Sequence, residues 1–247
     1  MAKRIVLITG SSKGLGFELA NKFYTKYTLI LVSRNICNIN VENAIKLNYN
    51  LMEEKEVISL CDFLIKKDLI PDILIHNLGG KLDNDTHPIN IDVLKETFRL
   101  NLEIPISINN FLLERMIKKQ NCQIIHISSD SALQSNSSPC YVMAKSSLNT
   151  YVQNLAGKLR NKNILIKVFL LGPFIYPNSY WDIIKRTNKE KYKEKIKSLS
   201  ILEFNTADKI ADVIYNNIKL YEQGILILVN NKGDCICLQK NNNIIFK

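Results

Sequence analysis

The sequence predicts an α/β fold: a single domain over residues 1–247, doubly wound, with a parallel seven-stranded sheet carrying helices on both faces. Three observations predict it. Apolar runs of strand length alternate with helix-length amphipathic segments along the chain. Several of those runs are continuously apolar, as in strands buried on both faces. No linker, low-complexity tract or internal repeat interrupts the rhythm.

The elements follow in order. "RIVLITG" is the first strand, ended by Gly10, and "GFELANKFYTKY" follows as a helix with Leu19, Phe23 and Tyr27 on one side. "TLILVSRN" and the weaker "AIKLNYNL" are the second and third strands, and "EEKEVISLCDFLIKK" is a helix. "PDILIHNLGG" is the fourth strand. One long helix is expected through "VLKETFRLNLEIPISINNFLLERMIKKQ", kinked or broken at Pro105 because proline lacks the N–H that a helix interior uses. "CQIIHISSD" is the fifth strand, "CYVMAKSSLNTYVQNLAGKLR" a helix and "ILIKVFLLGP" the sixth strand. Residues 174–200 read as an irregular and helical segment. "TADKIADVIYNNIKL" is a helix with Thr206 as N-cap, and "GILILVN" is the last strand.

Composition bounds the function. The 247 residues carry a net charge of +10, with 46% hydrophobic and 23% charged residues, as in a soluble globular protein. The lysines are spread along most of the chain, and the dense run "KRTNKEKYKEKIK" also holds Glu190 and Glu194, so it reads as a solvated helix face rather than a nucleic-acid surface. The cysteines (Cys37, Cys61, Cys122, Cys140, Cys235, Cys237) and the histidines (His76, His87, His126) have no metal spacing. No apolar run reaches membrane-spanning length, and the N-terminus enters a strand-like run too short for a secretory core. A cytoplasmic protein with no nucleic-acid, membrane or metal partner is expected.

Two motifs point to chemistry. "TGSSKGLG" places Gly10, Gly14 and Gly16 after the first strand, with Ser12, Lys13 and Leu15 between them. Such glycines permit a tight turn and close approach of backbone N–H groups to a diphosphate at a helix N-terminus. In "CYVMAK", Tyr141 and Lys145 stand four apart, on one helix face. An ammonium beside a phenol is expected to lower its pKa from about 10, giving a tyrosine able to exchange a proton near neutral pH.

Together these motifs resemble the short-chain dehydrogenase/reductase family, which pairs T-G-x-x-x-G-x-G with Y-x-x-x-K on a Rossmann fold. Further motifs stand in the family's order. "HNLGG" is similar to N-N-A-G, matching at Asn77 and Gly79 and departing at His76 and Leu78. "LNLEIPI" supplies Asn101 where the family has its catalytic asparagine, and "IIHISSD" resembles the strand end with the catalytic serine. Strand register and the spacing from Asn101 favour Ser129; the usual gap to the tyrosine favours Ser128.

The resemblance implies an NADPH-dependent oxidoreductase acting on a small carbonyl or alcohol. Tyr141 would be general acid or base, Lys145 would tune it and bind the nicotinamide ribose, and Ser129 would hydrogen-bond the substrate oxygen. Asn101 would hold a water relaying protons to Lys145. NADP(H) rather than NAD(H) is expected because the second strand ends in Arg34, suited to a 2′-phosphate, where NAD sites carry an acid, and Lys13 adds a second cation. Asn50 stands at the adenine-contacting position. After the sixth strand Gly172 matches, Leu171 replaces the usual proline, and Ile175 is assigned to the carboxamide. Residues 174–200 stand where the family carries its substrate lid; there Tyr176, Tyr180 and Trp181 would either pack over a substrate or anchor a helix on the core. The C-terminal run "ILILVNNKGD" departs from the family's D-G-G ending, away from the 3-oxoacyl carrier-protein reductases, which remain an alternative. A dinucleotide-binding scaffold without chemistry is the other alternative, and it is disfavoured by the presence of both Tyr141 and Lys145. Members commonly form homodimers or homotetramers through the helices here at about 93–118 and 142–160.

Overall fold

The computed structural model describes residues 3–36, 39–134, 137–218, 225–230 and 234–238. The sheet is built on β1 (Ile5–Thr9), β2 (Thr28–Ser33), β3 (Ile45–Asn48), β4 (Ile73–His76), β5 (Cys122–Ser129) and β6 (Ile164–Leu171). A two-residue strand β7 (Phe174–Ile175) pairs with β8 (Asn205–Thr206), and the main sheet ends in β9 (Ile225–Val229) and β10 (Cys235–Leu238). Its spatial order is β10-β9-β6-β5-β4-β1-β2-β3, parallel throughout except that β10 is antiparallel to β9.

Among the described residues the sheet therefore has eight strands, not the seven expected. The extra strand is the short tail segment "CICL". Asn230 and Asp234 close the hairpin: each backbone N–H donates to the other residue, Asn230 N–H to the Asp234 carbonyl at 3.0 Å and Asp234 N–H to Asn230 Oδ1 at 2.9 Å. A four-residue edge strand beside polar tail residues carries little periodic signal. Cys37, Asn231 and Gly233 lie outside the described residues.

The helices are α1 (Gly14–Phe23), α2 (Glu54–Lys66), α3 (Ile91–Phe98), α4 (Ile104–Lys118), the four-residue α5 (Ser131–Gln134), α6 (Pro139–Lys158), α7 (Tyr180–Thr187), α8 (Lys189–Ser198) and α9 (Ala207–Asn217). They cover the two sheet faces as the apolar spacing requires. Leu15, Leu19, Ala20 and Phe23 of α1 and Ile210, Ala211 and Ile214 of α9 share one buried cluster with Val6, Ile8, Leu29 and Leu31. Leu60 and Leu64 of α2, Ile108 and Leu112 of α4, and Leu148 and Val152 of α6 share the other, with Leu7, Ile30 and Ile124. Odd and even strand positions thus feed opposite faces. Phe23 is fully buried, worth roughly 2–3 kcal/mol, and its ring lies 5.0 Å from that of Tyr215, edge to face.

Two sequence anomalies find their reasons. Lys167, which interrupts the apolar run of β6, is fully buried, and its Nζ donates to the Ile218 carbonyl at 2.9 Å, where α9 ends, and to Gln123 Oε1 at 3.3 Å. The expected long helix runs through a π-helical turn, Arg99–Glu103, and Pro105 sits just past that turn, at the start of α4.

The topology fixes the site. Winding reverses between β1 and β4, so the loops after those strands flank a crevice at the carboxyl edge of the sheet. β5 and β6 end on the same edge.

Candidate active site

The glycine loop follows β1. Gly10 and Gly14 have φ of +66° and +55°, where a side chain would be strained. A Cβ on Gly16 would stand 2.3 Å from the Gly10 carbonyl oxygen and 2.6 Å from Asn77 Nδ2, so only glycine fits. Helix α1 then starts with no side-chain cap and no acidic residue in its first turn, leaving its N-terminus suited to an anion. Asn77 ties the loop to β4: its Nδ2 donates to the Thr9 and Gly10 carbonyls at 3.1 and 3.0 Å. Ser33 donates to Ser12 Oγ at 2.8 Å, joining the loop to the end of β2. Lys13 and Arg34 flank that bond, and both side chains are exposed. These residues fit a phosphorylated dinucleotide: a close backbone cradle, a helix N-terminus with no side-chain cap, and the exposed cations Lys13 and Arg34.

The second half of the site lies at the end of β5. The Ser129 hydroxyl lies near the Tyr141 phenol and favours its ionised form. Ser129, buried, also donates to Asp130 Oδ1 at 3.3 Å and accepts from the Ser131 N–H at 3.2 Å. Ser128 points to the opposite face of the strand, and its buried hydroxyl has no partner among the described residues. Lys145, one turn beyond Tyr141, donates from Nζ to the Ile127 carbonyl at 2.8 Å, and Nζ stands 5.8 Å from the Tyr141 ring centroid. Asn101 occupies the π-helical turn. It donates from Nδ2 to the Gly80 and Thr97 carbonyls at 2.9 and 3.0 Å and accepts from the Gly80 N–H at 2.9 Å. Gly79 separates Asn101 from Lys145: a Cβ there would lie 2.8 Å from Asn101 Oδ1 and 3.0 Å from Lys145 Nζ.

The electrostatics correct one expectation. Tyr141 is not lowered: its phenol is pushed up to about 12, chiefly by burial, with the nearby Ser129 hydroxyl opposing the rise and Asp130 adding to it. Lys145 is itself lowered to about 7 by burial, so the cation that would stabilise a phenolate is disfavoured in the same dry site. Burial likewise raises the Asp130 carboxyl.

The remaining assigned residues are held locally. Asn50 turns the chain into α2, its backbone N–H donating to Glu56 and its Oδ1 accepting from the Met52 N–H at 3.4 Å. Gly172 donates its N–H to the Val229 carbonyl at 3.4 Å, and Ile175 pairs with Thr206 in the small sheet. Tyr176 lays its ring against Gly14, where a Cβ would come within 3.0 Å of it. Trp181 packs its ring 5.2 Å from Phe204, so it anchors α7 on its neighbours. Sequence reasoning missed Asp85, Lys81 and Asp130. Asp85 accepts from the Cys140 and Tyr141 N–H groups, and Lys81 Nζ stands 5.6 Å from the Tyr141 ring centroid. Asp130 carried a signal, lying next to the serine pair; the others did not.

Comparison with known proteins agrees with this geometry. The family model described as short chain dehydrogenase matches residues 4–178. The 3-oxoacyl-[acyl-carrier-protein] reductase FabG of Aquifex aeolicus is 23% identical over 242 residues, covering 92% of this chain and 96% of that protein. The 2-dehydro-3-deoxy-D-gluconate 5-dehydrogenase of Formosa agariphila is 24% identical, covering 94% and 96%. Among solved structures, a Pseudomonas aeruginosa RhlG/NADP active-site complex superposes with a TM-score of 0.83 at 18% identity, covering 94% of this chain and 96% of that one. L-sorbose reductase from Gluconobacter frateurii, complexed with NADPH and L-sorbose, gives 0.81 at 18% identity, with the same coverage. The chain belongs to the short-chain dehydrogenase family and is an oxidoreductase.

Proposed function

We propose that this protein is an NADPH-dependent carbonyl reductase in which Tyr141 donates the proton. The observation that carries the reading is the convergence of Ser129 and Lys145 on Tyr141: the Ser129 hydroxyl lies near the phenol, and Lys145 Nζ, one helical turn on, stands 5.8 Å from the ring centroid. A phenol raised to about 12 is protonated at neutral pH, the form a general acid needs to protonate the oxygen of a carbonyl being reduced. Ser129 hydrogen-bonds the same oxygen as negative charge develops on it. Lys145 and Asn101, meeting across Gly79, form the path by which Tyr141 regains its proton, and Lys145 also holds the nicotinamide ribose. The nicotinamide supplies the hydride when bound.

The cofactor is held by the Gly10–Gly16 loop, by Asn77, Gly79, Gly172 and Ile175, and by Asn50 near the adenine. Arg34 and Lys13 select the 2′-phosphate, so NADPH is preferred to NADH. A solved relative in complex with NADP and another with NADPH support this choice. Residues 174–200 act as the substrate lid within a single domain spanning 1–247. The working form is a cytoplasmic homodimer or homotetramer pairing through α4 and α6, with a small molecule as substrate.

A second reading, reduction of 3-oxoacyl thioesters, is favoured by the Aquifex relative's name and its near full-length match. One experiment separates the readings. Purified protein is titrated with NADPH and NADH by nicotinamide fluorescence, then assayed for NADPH oxidation against sugar ketones, aliphatic 3-oxoesters and acetoacetyl-coenzyme A. Tight NADPH binding with turnover of free ketones supports the leading reading, and turnover of the thioester alone supports the second. Absence of binding by either cofactor refutes both.

A further inference from the structure

We infer that Asp85 is a positioning residue for Tyr141, docking the loop after β4 onto the start of α6 and so aiming the tyrosine hydroxyl at Ser129. The inference rests on the acid role proposed for Tyr141.

Helix α6 opens in an unusual way. Its N-cap residue, Ser138, makes no side-chain capping bond, and its first turn contains no acidic residue. Pro139 offers no N–H, so Cys140 and Tyr141 carry the first free donors of the helix. Both are taken by one carboxylate from 55 and 56 residues away. Asp85 Oδ1 accepts from the Cys140 N–H at 2.8 Å, and Oδ2 accepts from the Tyr141 N–H at 2.9 Å. Asp85 is 4% exposed, so both bonds to the helix N-terminus form away from water.

The second bond goes to the backbone of the residue whose side chain meets Ser129. The loop bearing Asp85 also carries Gly79, packed between Asn101 and Lys145, and Lys81, over the Tyr141 ring. One clamp therefore holds in register the strand end, the asparagine turn and the helix bearing Tyr141 and Lys145. Loss of the clamp lets the first turn of α6 drift. Misplacement by about 1 Å costs on the order of 100-fold in rate.

The test uses the full chain, NADPH and the ketone it reduces fastest. Asp85→Ala is expected to lower kcat by roughly 10–100-fold, with NADPH affinity within about twofold of wild type. The solvent deuterium isotope effect on kcat should rise as proton donation becomes slower, and amide exchange in the 139–145 segment should accelerate. Asp85→Asn keeps one acceptor oxygen and should recover part of kcat. A purely structural role would lower NADPH affinity and kcat together and leave the isotope effect unmoved; that result overturns the inference, as does a wild-type kcat. If Asp85→Ala does not fold, Asp85→Asn alone decides: reduced kcat at unchanged NADPH affinity supports the clamp, and unchanged kcat removes it. Tyr141→Phe is measured alongside. Wild-type turnover in Tyr141→Phe defeats the acid assignment and this inference with it; an inactive Tyr141→Phe beside a fully active Asp85→Ala defeats this inference alone.

Discussion

His76 and His126 stack face to face with ring centroids 4.6 Å apart, at paired positions of β4 and β5, deep beneath the candidate active site. Asn109 bridges them, its Oδ1 2.8 Å from His76 Nε2 and its Nδ2 3.5 Å from His126 Nε2, and Nδ2 also donates to the Tyr151 hydroxyl at 3.0 Å. Both rings are buried, and Lys145 adds a nearby cation. Burial lowers His76 to about 4 and His126 well below its ordinary value.

The pair should make stability fall in mild acid. The unfolded chain binds protons at about pH 6.5 and the folded chain only near 4, so between these values the unfolded state holds more protons and stability drops as pH falls. His76 alone would cost about 3 kcal/mol by pH 4. Urea midpoints measured from pH 7.5 to 4.5 check this, and His76→Gln should flatten the slope. An equal slope in that variant would locate the acid sensitivity elsewhere.

Ser129→Ala should lower kcat by roughly 100-fold, the usual loss when one donor to a developing oxyanion is removed. Ser128→Ala, which deletes a buried hydroxyl that has no partner among the described residues, should leave kcat near wild type and hold or slightly raise stability. Steady-state kinetics and thermal melts of the two variants decide the order; the reverse pattern would move the substrate hydrogen bond to Ser128.

Much of this site was legible because its parts are local in sequence. The glycine loop, the Tyr141–Lys145 pair and the strand ends declare themselves by spacing, and a parallel sheet brings strand ends to one edge without further instruction. Asp85 was not legible, because its partners lie 55 and 56 residues on and are backbone groups, which have no residue signature. The Tyr141 shift was not legible either. Spacing revealed the neighbouring cation but not the burial, and burial dominates. Likewise β10 is an edge strand of four residues whose pairing depends on where β9 happens to end.

Arg34→Asp should invert cofactor preference. Arg34 directly follows β2 and is exposed, so its loss costs little stability, while an acid there repels a 2′-phosphate and accepts from a 2′-OH. The ratio of NADPH to NADH dissociation constants should rise from well below one to parity or beyond, a change of at least about 1–3 kcal/mol for one charge-assisted contact. An unchanged ratio by fluorescence titration would assign the phosphate to Lys13 alone.

Lys145→Met should trade activity for stability. Lys145 is buried with its pKa lowered to about 7, so its folded form resists the proton that its unfolded form holds up to about 10.5. The cost of burying that charge is full below pH 7 and vanishes as pH rises through 10.5. An apolar side chain of similar length removes the cost but leaves the Ile127 carbonyl without its 2.8 Å partner. A net gain of about 1–4 kcal/mol is expected at pH 6, as when buried charges elsewhere give way to apolar residues. The gain should shrink steadily toward pH 9.5, with turnover abolished throughout. A Lys145→Met protein less stable than wild type at pH 6 would mean that Lys145 is paid for in the fold as well as in the chemistry, and that its bond to Ile127 outweighs its burial.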